Sequence, residues 1–513
     1  MTWTAGYVTE IEYTYGYYRE LSPTLLRLAC LSAGIATAKA NPLRYLELGF
    51  GQGVSINIHA AANDGEFWGT DFNPSQAAHA RELADASGSG ATLLDASFAE
   101  FAEHPDLPEF DIIGLHGIWT WISEENSRTV IDIIRRKLKV GGLVYISYNC
   151  LPGWAPAMPL RHLMKLHADL AAEATGIIAK LDGAVAFAQQ VIDSGALYFR
   201  ANPAVGERLK GLSAQNRNYL AHEYFTEDWR LITFSDMARV LDDAKLSFVA
   251  SAHLLDHVEA VNLSEAGQKL LSGINHPILR HSVRDYLVNQ QFRRDIFVKG
   301  SRQLSLLEQA EAIRQQSFVL LRPPGEIPMK VTGSLGEATL NEEFYRPIVE
   351  GFASDGFAPK TLGKLTATNP KLSAAPLVQL VQAVLVLTGA GHLHPAQEPP
   401  RQTRGRCAQL NRHLCERARS SDKLTFLASP VTGSGIAVPW SHQLYLLAAH
   451  KGMKTPTDQA KFALDVFVAQ GRRVVKDGKV LESPEDSLVE LLREATEFAE
   501  KRAPILKALG ITL

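Results

Sequence analysis

Short, nearly continuous apolar runs punctuate the first 150 residues, and between most of them apolar residues recur at helical spacing. "RYLELGF" (44–50), "GEFWGTDF" (65–72), "ATLLDAS" (91–97), "FDIIGLHG" (110–117) and "GGLVYISYN" (141–149) read as five strands. A helix is predicted over about 24–40, with Asn41-Pro42 breaking it, and another over "SRTVIDIIRRKLKVGG" (127–142), stopped by its glycines. Apolar strands that alternate with helices need cover on both faces. The prediction is therefore an α/β doubly wound, Rossmann-like core with a parallel sheet.

Beyond it the pattern is mainly helical. The expected division is a core with an N-terminal lid over 1–160, a helical insert over 161–264 and a helical C-terminal region over 265–513. Within the last, 342–395 joins helical segments to "GAGHLHP" in the manner of a winged-helix module or of an ordinary helix pair. The most apolar later run, "AAPLVQLVQAVLVLTGAG" (374–391), is interrupted by Gln379 and Gln382 and is short for a membrane span, so it reads as a buried helix.

A length of 513 residues implies about two to four domains. The net charge of −3 offers no global signal for nucleic acid. Cys30, Cys150, Cys407 and Cys415 are too scattered for a disulfide framework or a CxxC zinc site, and "MTWTAGYVTEIEYTYGYYRE" lacks the layout of a secretory signal. A reducing cytoplasm is the expected setting, with no metal.

The first strand runs into "LELGFGQG" (46–53), a glycine loop opening a helix. Such a loop brings backbone close to a ligand, and the helix start adds unpaired N–H groups. Gly49, Gly51 and Gly53 give GxGxG; the dinucleotide fingerprint would want its third glycine where Val54 stands. Glu47 would repel a pyrophosphate but welcome a sulfonium and an ammonium group. S-adenosylmethionine carries both. Asp71 ends the second strand where a carboxylate can accept both ribose hydroxyls, and Asp95, Ser97 and Phe98 end the third where the adenine would lie.

"YTYGYYRELSP" (13–23), "LELGFGQG" (46–53), "DFNP" (71–74), "HGIWTWIS" (116–123), "YNCLPGW" (148–154), "YLAHEYF" (219–225) and "FRRDIFVKG" (292–300) together resemble the class I methyltransferases that carry a methyltransferase regulatory domain. These include bacterial lysine methyltransferases acting on outer-membrane proteins. The resemblance runs to about residue 300 and more thinly to "LASPVTGSGI" (427–436). It implies that 161–264 is the regulatory or insert domain, that Glu47, Gly49, Gly51 and Gly53 meet the methionine end, Asp71 the ribose, and Asp95, Ser97 and Phe98 the adenine. His116 would lie beside the methyl donor.

Trp119 and Trp121 either wall the site or belong to the core. Tyr148, Asn149 and Trp154 leave the fifth strand at the sheet's carboxyl edge, where open α/β sheets bind ligands. On the helical insert, Tyr219, His222 and Glu223 can orient an acceptor or take its proton, or can be surface groups. Tyr15 and Tyr18 either close over the cofactor or pack under the first helix. The expected catalytic group is Tyr148, Asn149, Tyr219 and His222, with Tyr18 among the cofactor contacts.

The leading expectation is a protein-lysine N-methyltransferase, with the region after about 265 holding the protein acceptor. A small-molecule or glycan methyltransferase uses the same core, and a non-catalytic cofactor-binding scaffold is the remaining class.

Overall fold

The structure is a computed structural model that describes residues 4, 6–11, 13–37, 42–171, 176–212 and 214–513. Five strands follow the sequence pattern: β1 (Leu43–Leu48), β2 (Gly65–Asp71), β3 (Thr92–Asp95), β4 (Phe110–Leu115) and β5 (Leu138–Asn149). Two more, β6 (Leu246–Ser251) and β7 (Phe292–Lys299), complete a seven-stranded sheet in the order β3-β2-β1-β4-β5-β7-β6. The first five pair in parallel, whereas β7 runs antiparallel to both β5 and β6. The sheet is thus mixed, and its last two strands come from beyond the 1–160 segment expected to hold the core.

Helices α1 (Pro23–Ser32), α2 (Val54–Ala62), α3 (Pro74–Ser87), α4 (Phe98–Ala102) and α5 (Glu124–Lys137) flank these strands. Local chemistry sets their starts: Asn73 accepts from the Ser75 N–H with Pro74 in the first turn, and Ser123 accepts from the Asn126 N–H. Acidic residues in the first turn of α5 and basic ones in its last complement its dipole. The predicted helix over 24–40 is shorter. It ends at Ser32, and Ile35 instead bridges to Gln303. The predicted break at Asn41 lies outside the described residues.

The later chain is mainly helical and shares its core with the sheet. Leu25, Tyr45 and Phe67 cluster with Phe318, Phe352 and Leu387. All nine residues of α2 are buried, because Val54 and Ile58 pack against Leu410, Leu427 and Leu444 of the C-terminal region. Within 342–395, helices Glu342–Ala353, Leu362–Thr368 and Leu377–Gly389 accompany a small antiparallel sheet. Its central strand, Ser317–Leu320, comes from before that segment. Among the described residues, no helix is long and apolar enough to cross a membrane.

Candidate active site

The loop after β1 turns tightly because its glycines adopt backbone that side chains resist. Gly51 has φ +56°, and a Cβ there would meet only Tyr13, at 3.8 Å, so this backbone faces open space. Gly53, with φ +71°, caps α2, and a Cβ on it would lie 2.3 Å from Ala80 Cβ. Its role is close packing of α2 on α3, and it does not line the cavity, contrary to the sequence expectation. The Gly51 N–H donates to Asp71 Oδ2 at 2.8 Å and the Asn73 N–H to Oδ1 at 3.0 Å, which fixes the carboxylate beneath the loop.

A cavity opens at the carboxyl ends of β1, β2 and β4. Glu47, Gly49, Gly51, Asp71, Ser97, Phe98, His116 and Tyr18 all line it. Asp95 does not: it is exposed, while Ala96, Ser97 and Phe98 turn inward. The Ser97 hydroxyl is also the N-cap of α4, accepting from the Glu100 N–H and donating to the Glu100 carboxylate.

Burial dominates the electrostatics. Glu47 is 3% exposed, and its Oε2 has no partner among the described residues. Burial, with Asp71 nearby, pushes its carboxyl up to about 8 against a hydrogen bond from Tyr45. Burial likewise raises Asp71 to about 7 despite its two amide donors. His116 is pushed down to about 4 by burial, so it is a neutral imidazole at pH 7. It hydrogen-bonds Tyr145 at 2.7 Å and stacks on Tyr18 with centroids 3.9 Å apart.

The N-terminal segment forms the opposite wall through Tyr7, Tyr13, Thr14, Gly16 and Tyr18. It is tied down near both ends. The Glu227 N–H donates to Gly6 O at 3.0 Å. The Tyr17 hydroxyl lies 3.1 Å from His59 Nε2 and 2.6 Å from Ser434 Oγ, and accepts from the Gly435 N–H at 2.8 Å. Tyr15 packs outside the cavity, edge-on to His79.

Beyond the tyrosines lies helix Arg217–Phe225, over the end of β5. His222 contacts the rings of Tyr7 and Tyr13 at centroid distances of 5.8 and 5.0 Å. Asn149 Nδ2 donates to Glu223 Oε1 at 3.1 Å, and Tyr219, 39% exposed, hydrogen-bonds the same carboxyl. Asn149, Tyr219, His222 and Glu223 therefore meet next to the cavity. Tyr148 does not join them. Strand alternation turns it into the sheet's interior, where its hydroxyl donates to Asp295 Oδ2 at 2.6 Å and Arg293 Nε donates to the same oxygen at 2.8 Å. Trp119 is core, Trp121 lines the cavity, and Trp154 packs on Trp229 beneath Arg208.

Tyr7, Gln76, Asn126 and Asp228 also line the cavity and were not singled out from the sequence. The density of tyrosines before α1 was the available signal for the first. For the others the sequence carries none, since isolated polar residues after strands are ordinary.

These residues fit S-adenosylmethionine. Glu47 offers a buried, unpartnered oxygen to a cation, the Gly51 backbone leaves room for a ligand, and the Asp71 carboxylate is held at the cavity wall by two backbone amides. A family model described as a methyltransferase domain matches residues 46–142, and one described as a predicted methyltransferase regulatory domain matches 216–299. An uncharacterized protein of Synechocystis is 42% identical over 517 residues, covering all of both chains. An uncharacterized protein of Rickettsia prowazekii is 22% identical over 349 residues, 66% of this chain and 60% of its own. The structure of PKMT2 from Rickettsia typhi in complex with AdoHcy shares the fold, with a TM-score of 0.71 over 97% of this chain and 99% of that one at 17% identity. Sheet order, loop geometry and these likenesses agree: the chain belongs to the class I methyltransferases that carry a methyltransferase regulatory domain, and it is an enzyme whose methyl donor is S-adenosylmethionine.

Proposed function

We propose that this methyltransferase acts on a lysine side chain of a protein acceptor, with Glu47, Gly49, Gly51, Asp71, Ser97, Phe98, His116 and Tyr18 holding the donor. The observation that carries this reading is the aromatic and amide cluster of Asn149, Tyr219 and His222 against the cavity tyrosines. A lysine amine has a reference pKa near 10.4, and an apolar, aromatic surrounding favours its neutral, nucleophilic form. The bound donor supplies an electrophilic methyl group; this chain's part is to align the amine, exclude water and leave its lone pair free. Likeness to PKMT2 over nearly the whole chain supports a protein acceptor. So does the length of chain beyond the sheet.

The test is transfer of labelled methyl groups from S-adenosylmethionine into cell lysate, followed by separation by mass and identification of the methylated residue. Methyl-lysine in the protein fraction is expected. Label confined to a low-mass metabolite or a glycan would refute the lysine reading while leaving the methyltransferase intact.

A further inference from the structure

Glu223 is a buried carboxylate, 7% exposed, and among the described residues no cation stands within salt-bridge distance of it. Arg208 and Arg161 lie near enough for their charge to lower its pKa, but neither pairs with the carboxylate directly. Arg161 donates to the backbone oxygens of Glu223 and Thr226, and Arg208 donates to Tyr224 and Gln291. A buried carboxylate without a direct ion pair costs free energy that the fold retains only where something offsets it. Glu47 is also a buried acid without an ion pair, on the cofactor side of Tyr7 and Tyr13, where the cationic end of the bound donor would offset its charge. Tyr219, 39% exposed, hydrogen-bonds the Glu223 carboxyl and so links the buried acid to the surface of the same helix.

We infer that Glu223 is the group that binds the acceptor's ammonium and takes its proton before transfer. The inference rests on the lysine reading above. In the reaction the Glu223 carboxylate accepts one proton from the ammonium, and the freed lone pair forms the N–CH3 bond. The S–CH3 bond breaks with its electron pair staying on sulfur, and the methylated nitrogen carries the charge that sulfur loses. Burial raises the Glu223 pKa, which brings it closer to that of the amine and eases the proton's passage. The titratable groups facing it are Tyr7, Arg161, Arg208, Tyr219 and Tyr224.

The test uses the full chain saturated with S-adenosylhomocysteine and n-butylammonium chloride as a lysine side-chain probe, with butanol and sodium chloride as controls. Butylammonium should raise the melting temperature where the controls do not. Glu223→Gln should abolish that rise while binding S-adenosylhomocysteine within about threefold of the wild type. An equal rise in the variant, or none in the wild type, overturns the inference. Should Glu223→Gln fail to bind S-adenosylhomocysteine, Tyr219→Phe serves instead: a weakened butylammonium response supports the inference and an unchanged one overturns it. In lysate, methyl-lysine formed equally by Glu223→Gln and wild type would overturn the role of Glu223 and leave the protein acceptor standing. A butylammonium response without methyl-lysine would sustain the amine site and refute the protein acceptor.

Discussion

Lowering the pH from 8 to 6 should weaken cofactor binding through Glu47. Its carboxyl is pushed up to about 8 in the ligand-free protein, and it must ionise to pair with a cationic ligand. At pH 8 about half the molecules carry the charge and at pH 6 about 1% do, so affinity should fall about fiftyfold, or about 2.3 kcal/mol. Binding near pH 7 should release about one proton. Calorimetry with S-adenosylhomocysteine in two buffers of different ionisation enthalpy measures both quantities. Glu47→Gln should bind more weakly at pH 8 but lose most of the pH dependence. Stability has the opposite sign. Because the folded pKa lies above the unfolded value of 4.5, Glu47's contribution is full below about 4.5 and is lost as pH rises through 8, a swing on the order of 5 kcal/mol. The ligand-free melting temperature should therefore fall from pH 5 to 8, and saturating ligand should offset the fall. Equal affinities at pH 6 and 8, with no proton released, would refute the reasoning.

Gly51→Val places a β-branched side chain at φ +56° and into the cavity; calorimetry should find cofactor affinity reduced at least a hundredfold while circular dichroism shows retained helix. Tyr148→Phe removes a donor from the buried Asp295 carboxylate and should lower stability by about 1 to 3 kcal/mol. The folded variant should nevertheless keep its turnover, and a large loss there would return Tyr148 to the reaction. Tyr17→Phe leaves the Gly435 N–H without its acceptor, costing about 1 to 3 kcal/mol. Stopped-flow displacement should show faster release of S-adenosylhomocysteine, because Gly16 and Tyr18 on either side line the cavity.

The parallel strands were legible because strands buried on both faces admit little but apolar residues, and the glycine loop because ligand approach restricts side chains. β7 escaped notice for a physical reason. Its "FRRDIFVK" carries Arg293 and Asp295 into the interior, where Asp285 and Tyr148 satisfy them, so a strand deep in the sheet reads as a polar segment. The GxGxG pattern could not separate Gly51, which faces the cavity, from Gly53, which packs on Ala80. Nor could it show that Asp95 turns outward while the residues after it turn in. Tyr148 was misread because the end of a strand marks the ligand edge without saying which face a residue takes, and Asn149, one position on, takes the other. Removing the region after 265 would delete β7 and strip cover from α2, so it cannot isolate a cofactor-binding core as the sequence division suggests.

The tether at Tyr17 has a consequence for the order in which the molecule becomes competent. Of its side-chain partners, His59 lies 42 residues away and Ser434 lies 417 residues away along the chain, and the segment is also tied to Ser55 through the Tyr18 N–H and to Glu227 through Gly6 O. During synthesis at about 5 to 20 residues per second, the cavity's tyrosine wall waits on the order of half a minute for its distal anchor. Contacts of such separation carry a high loop-closure cost and form late. Incomplete chains therefore hold the wall by its nearer ties alone, and the anchor on Ser434 and Gly435 arrives only with the hairpin at 426–437.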